Sequence, residues 1–153
     1  MRALLVTAHP LADSLNRHLA DQAEAAARAA GHQTQRLDLY GADFDPRLSA
    51  EERISYYGAA SWSPDQAMER QIEQLIQAEL LIVVFPTWWF GFPAILKGWL
   101  DRLWRPGIAF DHAADLGRIT PRLTGLRHVV AITSLGSPRW IDRLILRQSL
   151  RRS

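Results

Sequence analysis

Between Val84 and Arg102 the chain runs from an apolar, β-branched stretch through a loop carrying Trp88, Trp89, Phe90 and Phe92 into Ala94-Ile95-Leu96-Lys97-Gly98-Trp99-Leu100-Asp101-Arg102. This reads as strand, aromatic turn and helix in quick succession. Pro86 closes the strand, and Pro93 suits the first residue of a helix, where its missing N–H costs nothing. The two prolines stiffen what lies between them. Connecting loops lie at the surface, and exposed indoles there need a planar ligand or a partner chain to cover them. The stretch therefore reads as the floor of a cofactor site, against the plainer alternative that its rings are core or interface packing.

The remaining chain repeats the alternation. Apolar residues 3–8 predict a first strand ended by His9-Pro10, and the spacing of Leu15, Leu19, Ala23, Ala26 and Ala30 predicts a helix over 14–30, capped by Asp13 or Ser14 and stopped by Gly31. A second strand is expected over 34–39. Residues 41–61 form a long connection with a capping-box helix start at Ser49 and Glu52. Ser63-Pro64-Asp65-Gln66 is another helix start, with Ser63 as cap, running to Ala78, and residues 80–85 are the third strand. The helix from Pro93 ends near Arg105, before Pro106-Gly107; residues 108–126 are expected to be irregular, and 128–133 form the fourth strand. A last helix starts at Ser137-Pro138 and runs to the end.

Strands alternating with helices predict an α/β fold, a doubly wound parallel sheet in one domain over 1–153. Such sheets bind ligands beyond the carboxyl ends of their strands, where the strand order reverses. Loops 9–16, 86–92 and 133–139 occupy those ends, and the order 2-1-3-4 sets the first two at the switch point.

Composition narrows the chemistry. The chain has no cysteine, which excludes disulfides, thiolate catalysis and cysteine-held metals, and no motif suggests another metal. A formal charge of +2 gives no support to nucleic-acid binding. The N-terminus lacks a signal-peptide pattern and no apolar run approaches membrane-spanning length, so no membrane insertion and a cytoplasmic location are expected.

The first loop carries no Walker glycines and no G-x-G-x-x-G. Ser14 and Asn16 instead stand at a helix N-terminus, where free N–H groups and the dipole favour a phosphate, and His9 adds a donor or a charge. The alternative is that Asp13 and Ser14 only cap the helix. A flavin accounts for the aromatic loop as a whole, because its flat ring needs a stiff wall, backbone donors at one edge and an open face.

Ala8-His9-Pro10 with Ser14-Leu15-Asn16, followed by Phe85-Pro86-Thr87-Trp88-Trp89-Phe90-Gly91-Phe92-Pro93-Ala94-Ile95-Leu96-Lys97-Gly98-Trp99-Leu100-Asp101-Arg102, resembles the NAD(P)H:quinone oxidoreductase family, which has a flavodoxin-like fold. Ile132-Thr133-Ser134-Leu135-Gly136 resembles that family's Thr-Thr-Gly-Gly turn. The resemblance implies FAD or FMN, with phosphate contacts at His9, Ser14, Leu15 and Asn16 and ring contacts at Pro86, Thr87, Trp88, Trp89 and Phe90. Thr133, Ser134 and Gly136 would close the pyrimidine side. It further implies NAD(P)H as co-substrate, a quinone or similar acceptor reduced by two-electron ping-pong transfer, and a homodimer. Trp89 and Phe90 would shape the reacting pocket.

The chain departs from the family in three places. Leu135 stands where the turn commonly has glycine; Ser137-Pro138-Arg139-Trp140 lacks the tyrosine and histidine of some members, leaving Arg139 as a substitute; and a fifth strand is expected to be missing. Arg139, Arg143, Arg147 and Arg151 make one face of the last helix basic, either a solvated face or a site for the 2′-phosphate of NADPH or an acidic partner. A second functional reading is therefore kept: a non-catalytic, regulatory flavodoxin-like subunit of the kind that accompanies potassium-efflux systems.

Overall fold

The computed structural model describes residues 1–56, 62–112 and 117–138. In chain order its elements are β1 (Arg2–Thr7), α1 (Leu15–Ala29), β2 (Gln33–Asp38), α2 (Ala50–Ser55), α3 (Gln66–Gln77), β3 (Leu80–Pro86), α4 (Ala94–Leu103), β4 (Phe110–His112), β5 (Ile119–Pro121) and β6 (His128–Ser134). The main sheet is parallel with the order β2-β1-β3-β6, so β6 is the expected fourth strand and the 2-1-3-4 order holds. Register runs from Ala3 opposite Leu80 and from Leu80 opposite His128.

The sheet's two faces follow the two-residue alternation of strand side chains. Leu4, Val6, Leu81, Val83 and Phe85 face one core with α3 and α4, while Ala3, Leu5, Leu80, Ile82 and Val84 face the other with α1. Burial on both faces explains why β1 and β3 read as continuous apolar runs. On α4, Ile95, Leu96, Trp99 and Leu103 are buried, and the Trp99 indole N–H donates to Gln71 Oε1 of α3 at 3.1 Å. That bond lets a large ring enter the core with its one polar atom satisfied; burying such a side chain contributes about 2–3 kcal/mol.

Four expectations need correction. The apolar stripe read for α1 holds only in part: Leu19 and Ala23 pack on the sheet's core, but the buried positions are Asn16, Ala20 and Ala27, Ala26 is exposed and Leu15 is 62% exposed. The cap of α3 is Asp65, whose carboxylate accepts the Met68 N–H at 2.8 Å, not Ser63. Pro93 sits at the N-cap of α4 rather than inside it. Residues 108–126 are not wholly irregular, since β4 and β5 pair antiparallel from Phe110–Pro121 to His112–Ile119. Of the two caps proposed for α1, the structure uses Ser14.

Candidate functional site

The carboxyl ends of β1, β3 and β6 bring the three loops together. Ala8 N–H donates to Val84 O at 3.1 Å, and Thr87 N–H to Ser134 O at 2.8 Å, which ties the first residue of the aromatic loop to the last of β6. The Thr87 and Thr133 hydroxyls share a hydrogen bond of 2.6 Å. Asn16 Nδ2 reaches across from α1 to Ser134 Oγ at 2.9 Å.

At the amino end of α1, Ser14 Oγ accepts the Arg17 N–H at 3.2 Å. This leaves the hydroxyl hydrogen for another partner, and the first-turn N–H groups before Arg17 have none within the helix. Leu15, the first residue of the helix, is exposed. The His9 ring lies 6.0 Å from that of Trp88, tilted by 56°. His9 Nδ1 lies 3.1 Å from Leu11 N and 3.3 Å from Leu11 O, so the Leu11 backbone engages Nδ1 in either tautomer.

The aromatic loop is a tight hairpin. Trp88 and Gly91 exchange backbone hydrogen bonds of 3.2 and 3.1 Å, and the two residues between them, Trp89 and Phe90, have φ of 48° and 61°. Positive φ at both central positions is the signature of a type I′ turn, whose usual residues are Asn and Gly. Holding two bulky residues there stores strain, as functional sites often do. The consequence is that Trp89 stands 96% exposed.

The four rings then separate by role. Thr87, Trp88, Trp89 and Phe90 face Leu135, Gly136 and Ser137 across a cavity of about 270 Å³. Phe92 turns inward and packs edge-on to Phe85 at 5.1 Å, so packing alone explains that ring. Pro86 is buried in β3. Leu135 and Ser137 line the cavity without having been assigned to the site, although Leu135 was visible as a departure from the family turn. Arg139 and the expected arginine-bearing last helix lie outside the described residues.

A larger cavity of about 580 Å³ involves Leu48, Phe92, Leu100 and Trp104 with Arg53 and the ion pair of Lys97 and Asp101. It contains none of the polar groups that converge at the strand ends. The smaller cavity is the better ligand site, because it joins ring surfaces to the loops that carry those groups. Among the described residues no cluster of histidine and carboxylate side chains could hold a metal ion, and no helix is long and apolar enough to cross a membrane.

A parallel 2-1-3-4 sheet with its polar groups gathered beyond the carboxyl ends defines a doubly wound, flavodoxin-like α/β protein. Residues 1–148 match the family described as having a flavodoxin-like fold. An uncharacterised NAD(P)H oxidoreductase of Escherichia coli K12 is 38% identical over 116 residues, covering 75% of this chain and 58% of its own length. NAD(P)H dehydrogenase [quinone] 1 of Cavia porcellus is 34% identical over 154 residues, covering 89% of this chain and 54% of its own length. The solved NAD(P)H:quinone oxidoreductase of Methanothermobacter marburgensis superimposes with a TM-score of 0.85 at 28% identity, over 99% of this chain and 75% of that one. The chain belongs to the NAD(P)H:quinone oxidoreductase family of flavodoxin-like proteins, and it spans a little over half the length of these curated relatives.

Proposed function

We propose that this chain is a flavin-dependent NAD(P)H:acceptor oxidoreductase acting on a quinone or a similar planar electrophile. The observation that carries the reading is the exposed Trp89, held by a strained turn over a cavity whose far wall, Leu135 to Ser137, follows directly on Ser134, itself hydrogen-bonded to Asn16 at the amino end of α1. The donor set fits a flavin mononucleotide or dinucleotide. Buried Thr7 Oγ1, at the end of β1, and Asn16 Oδ1, in the first turn of α1, have no hydrogen-bond partner among the described residues, and orphaned buried polar atoms of this kind call for a ligand.

The Ser14, Leu15 and Asn16 backbone would hold the phosphate, with the Ser14 hydroxyl and the His9 ring as further donors. Thr87 and Thr133, with Ser134 and Gly136, would hold the pyrimidine edge. Trp88, Trp89 and Phe90 would wall the ring and keep water from it, with buried Pro86 stiffening the strand end behind them. A bound flavin supplies two-electron transfer from NAD(P)H to an acceptor that enters after the nicotinamide leaves, chemistry that asks the protein for orientation and no side-chain nucleophile. An indole as exposed as Trp89 supports a homodimer in which a second copy closes the pocket. Sedimentation of the flavin-loaded protein tests that assembly.

The decisive experiment is to load the protein with FAD or FMN, record the flavin absorbance and add NADPH or NADH without oxygen. Bleaching, reversed by a quinone, is expected. Failure to retain either flavin ends the enzyme reading. Leu135 beside the rings favours the second reading, a regulatory flavodoxin-like subunit, in which flavin is retained but does not bleach.

A further inference from the structure

The Asn16 carboxamide is buried and divided in its bonding. Nδ2 donates to Ser134 Oγ, while Oδ1 meets no donor among the described residues. Buried amide oxygens are nearly always bonded, so this one calls for a reason. Ser134 Oγ is a hydroxyl and both donates and accepts. The same pair can therefore bond with the amide turned half round, Oδ1 accepting from Ser134 and both Nδ2 hydrogens released.

Ser134 does not end the chain of contacts. Its carbonyl accepts the Thr87 N–H, and Thr87 begins the aromatic turn and pairs with Thr133. A second orphan, Thr7 Oγ1, belongs to the last residue of β1.

We infer that Asn16 is a two-position amide, turned by an anion at the amino end of α1, and that Ser134 relays its state to the aromatic turn. The inference rests on the flavin reading above. An anion repels an amide oxygen and attracts an amide N–H, so it favours the turned orientation. The turn reverses the hydrogen at Ser134 Oγ and shifts the β6 end against Thr87. Coupling of this kind is reciprocal: phosphate strengthens ring binding, and the ring strengthens phosphate binding. Ser134 is then a positioning residue between two subsites.

The test uses ¹⁵N-labelled protein with inorganic phosphate, riboflavin and FMN as separate probes. Phosphate is expected to shift the Asn16 side-chain amide and the Thr87 backbone amide with one midpoint. Saturating phosphate is expected to tighten riboflavin binding about fivefold or more. In Ser134→Ala the Asn16 response persists, while the Thr87 response and the gain in riboflavin affinity are lost; Ser134→Thr restores both. A Thr87 response that survives Ser134→Ala overturns the relay. So does an Asn16 side chain that stays still while the backbone amides of residues 14–17 move with phosphate. If neither phosphate nor FMN moves those backbone amides, the flavin reading falls and the relay falls with it, which tells the two failures apart.

Discussion

Trp88 and Gly91 close on each other through two backbone hydrogen bonds, and that closure keeps Trp89 and Phe90 in the left-handed region. For residues with a Cβ this region costs about 1–2 kcal/mol each. Asparagine tolerates it well, and the exposed Trp89 ring gives up no packing when removed. Trp89→Asn is expected to raise the urea midpoint, by about 1 kcal/mol of stability, and to weaken flavin binding. A variant that is less stable, or binds flavin as before, contradicts the role given to this turn.

The turn also marks where the sequence stops being informative. Pro86, Pro93 and the capping box of Ser49 and Glu52 are local signals, and each reappears in the structure within a residue of its expected place. The parallel order was legible because β1 and β3 are apolar on both faces. A type I′ turn built from Trp and Phe has no local signature, since its conformation is imposed by the bonds that close it. The place of Asn16 on the inward face of α1 was not legible for a similar reason, since its partner Ser134 lies far along the chain. β4 and β5 are three residues each, too short for alternation to register.

Of the glycines among the described residues, Gly98 has the closest neighbours. A Cβ built there meets Pro46 O at 2.2 Å and Pro46 Cβ at 2.4 Å, so the loop before α2 crosses α4 where only glycine fits. Gly98→Ala gains about 1 kcal/mol of helix propensity. Backbone overlap costs more, about 1–3 kcal/mol for overpacking and beyond that where backbone must shift. The expected result is a net loss of stability in chemical denaturation, opposite in sign to the propensity scale.

Glu52 is buried with Oε1 2.8 Å from Arg102 Nε and Oε2 2.8 Å from Ser49 N; Arg102 Nη1 also donates to Asp45 O at 2.7 Å. One carboxylate thus fastens α2 to α4. Glu52→Ala strands a mostly buried guanidinium and is expected to cost about 3–5 kcal/mol. Replacing both partners, as Glu52→Leu with Arg102→Met, is expected to recover much of that loss, because the remaining charge goes too. Equal denaturation midpoints for the single and double variants would count against the pair.

Asp45 gives a pH signature. Side-chain bonds from Arg47, then its backbone N–H, hold the carboxyl down from 3.8 to about 2. Because the folded value is the lower one, the unfolded chain binds the proton more readily over this interval. The contribution is complete above the unfolded value near 3.8 and disappears as pH falls toward 2. The pair is exposed, so salt weakens it. An NMR titration is expected to find the Asp45 midpoint near 2 and to return it toward 3.8 in Arg47→Ala.

Ser14 and Asp65 cap their helices in the same way, Ser14 Oγ accepting Arg17 N at 3.2 Å and Asp65 Oδ1 accepting Met68 N at 2.8 Å. Only Ser14 belongs to the proposed site. Alanine at either cap is expected to cost about 1 kcal/mol of stability. If Ser14 also donates to a phosphate, Ser14→Ala weakens FMN binding more than riboflavin binding, while Asp65→Ala leaves both unchanged. Equal losses of flavin affinity in the two variants would mean that the effect follows stability, and the phosphate assignment at the amino end of α1 would then have to be given up.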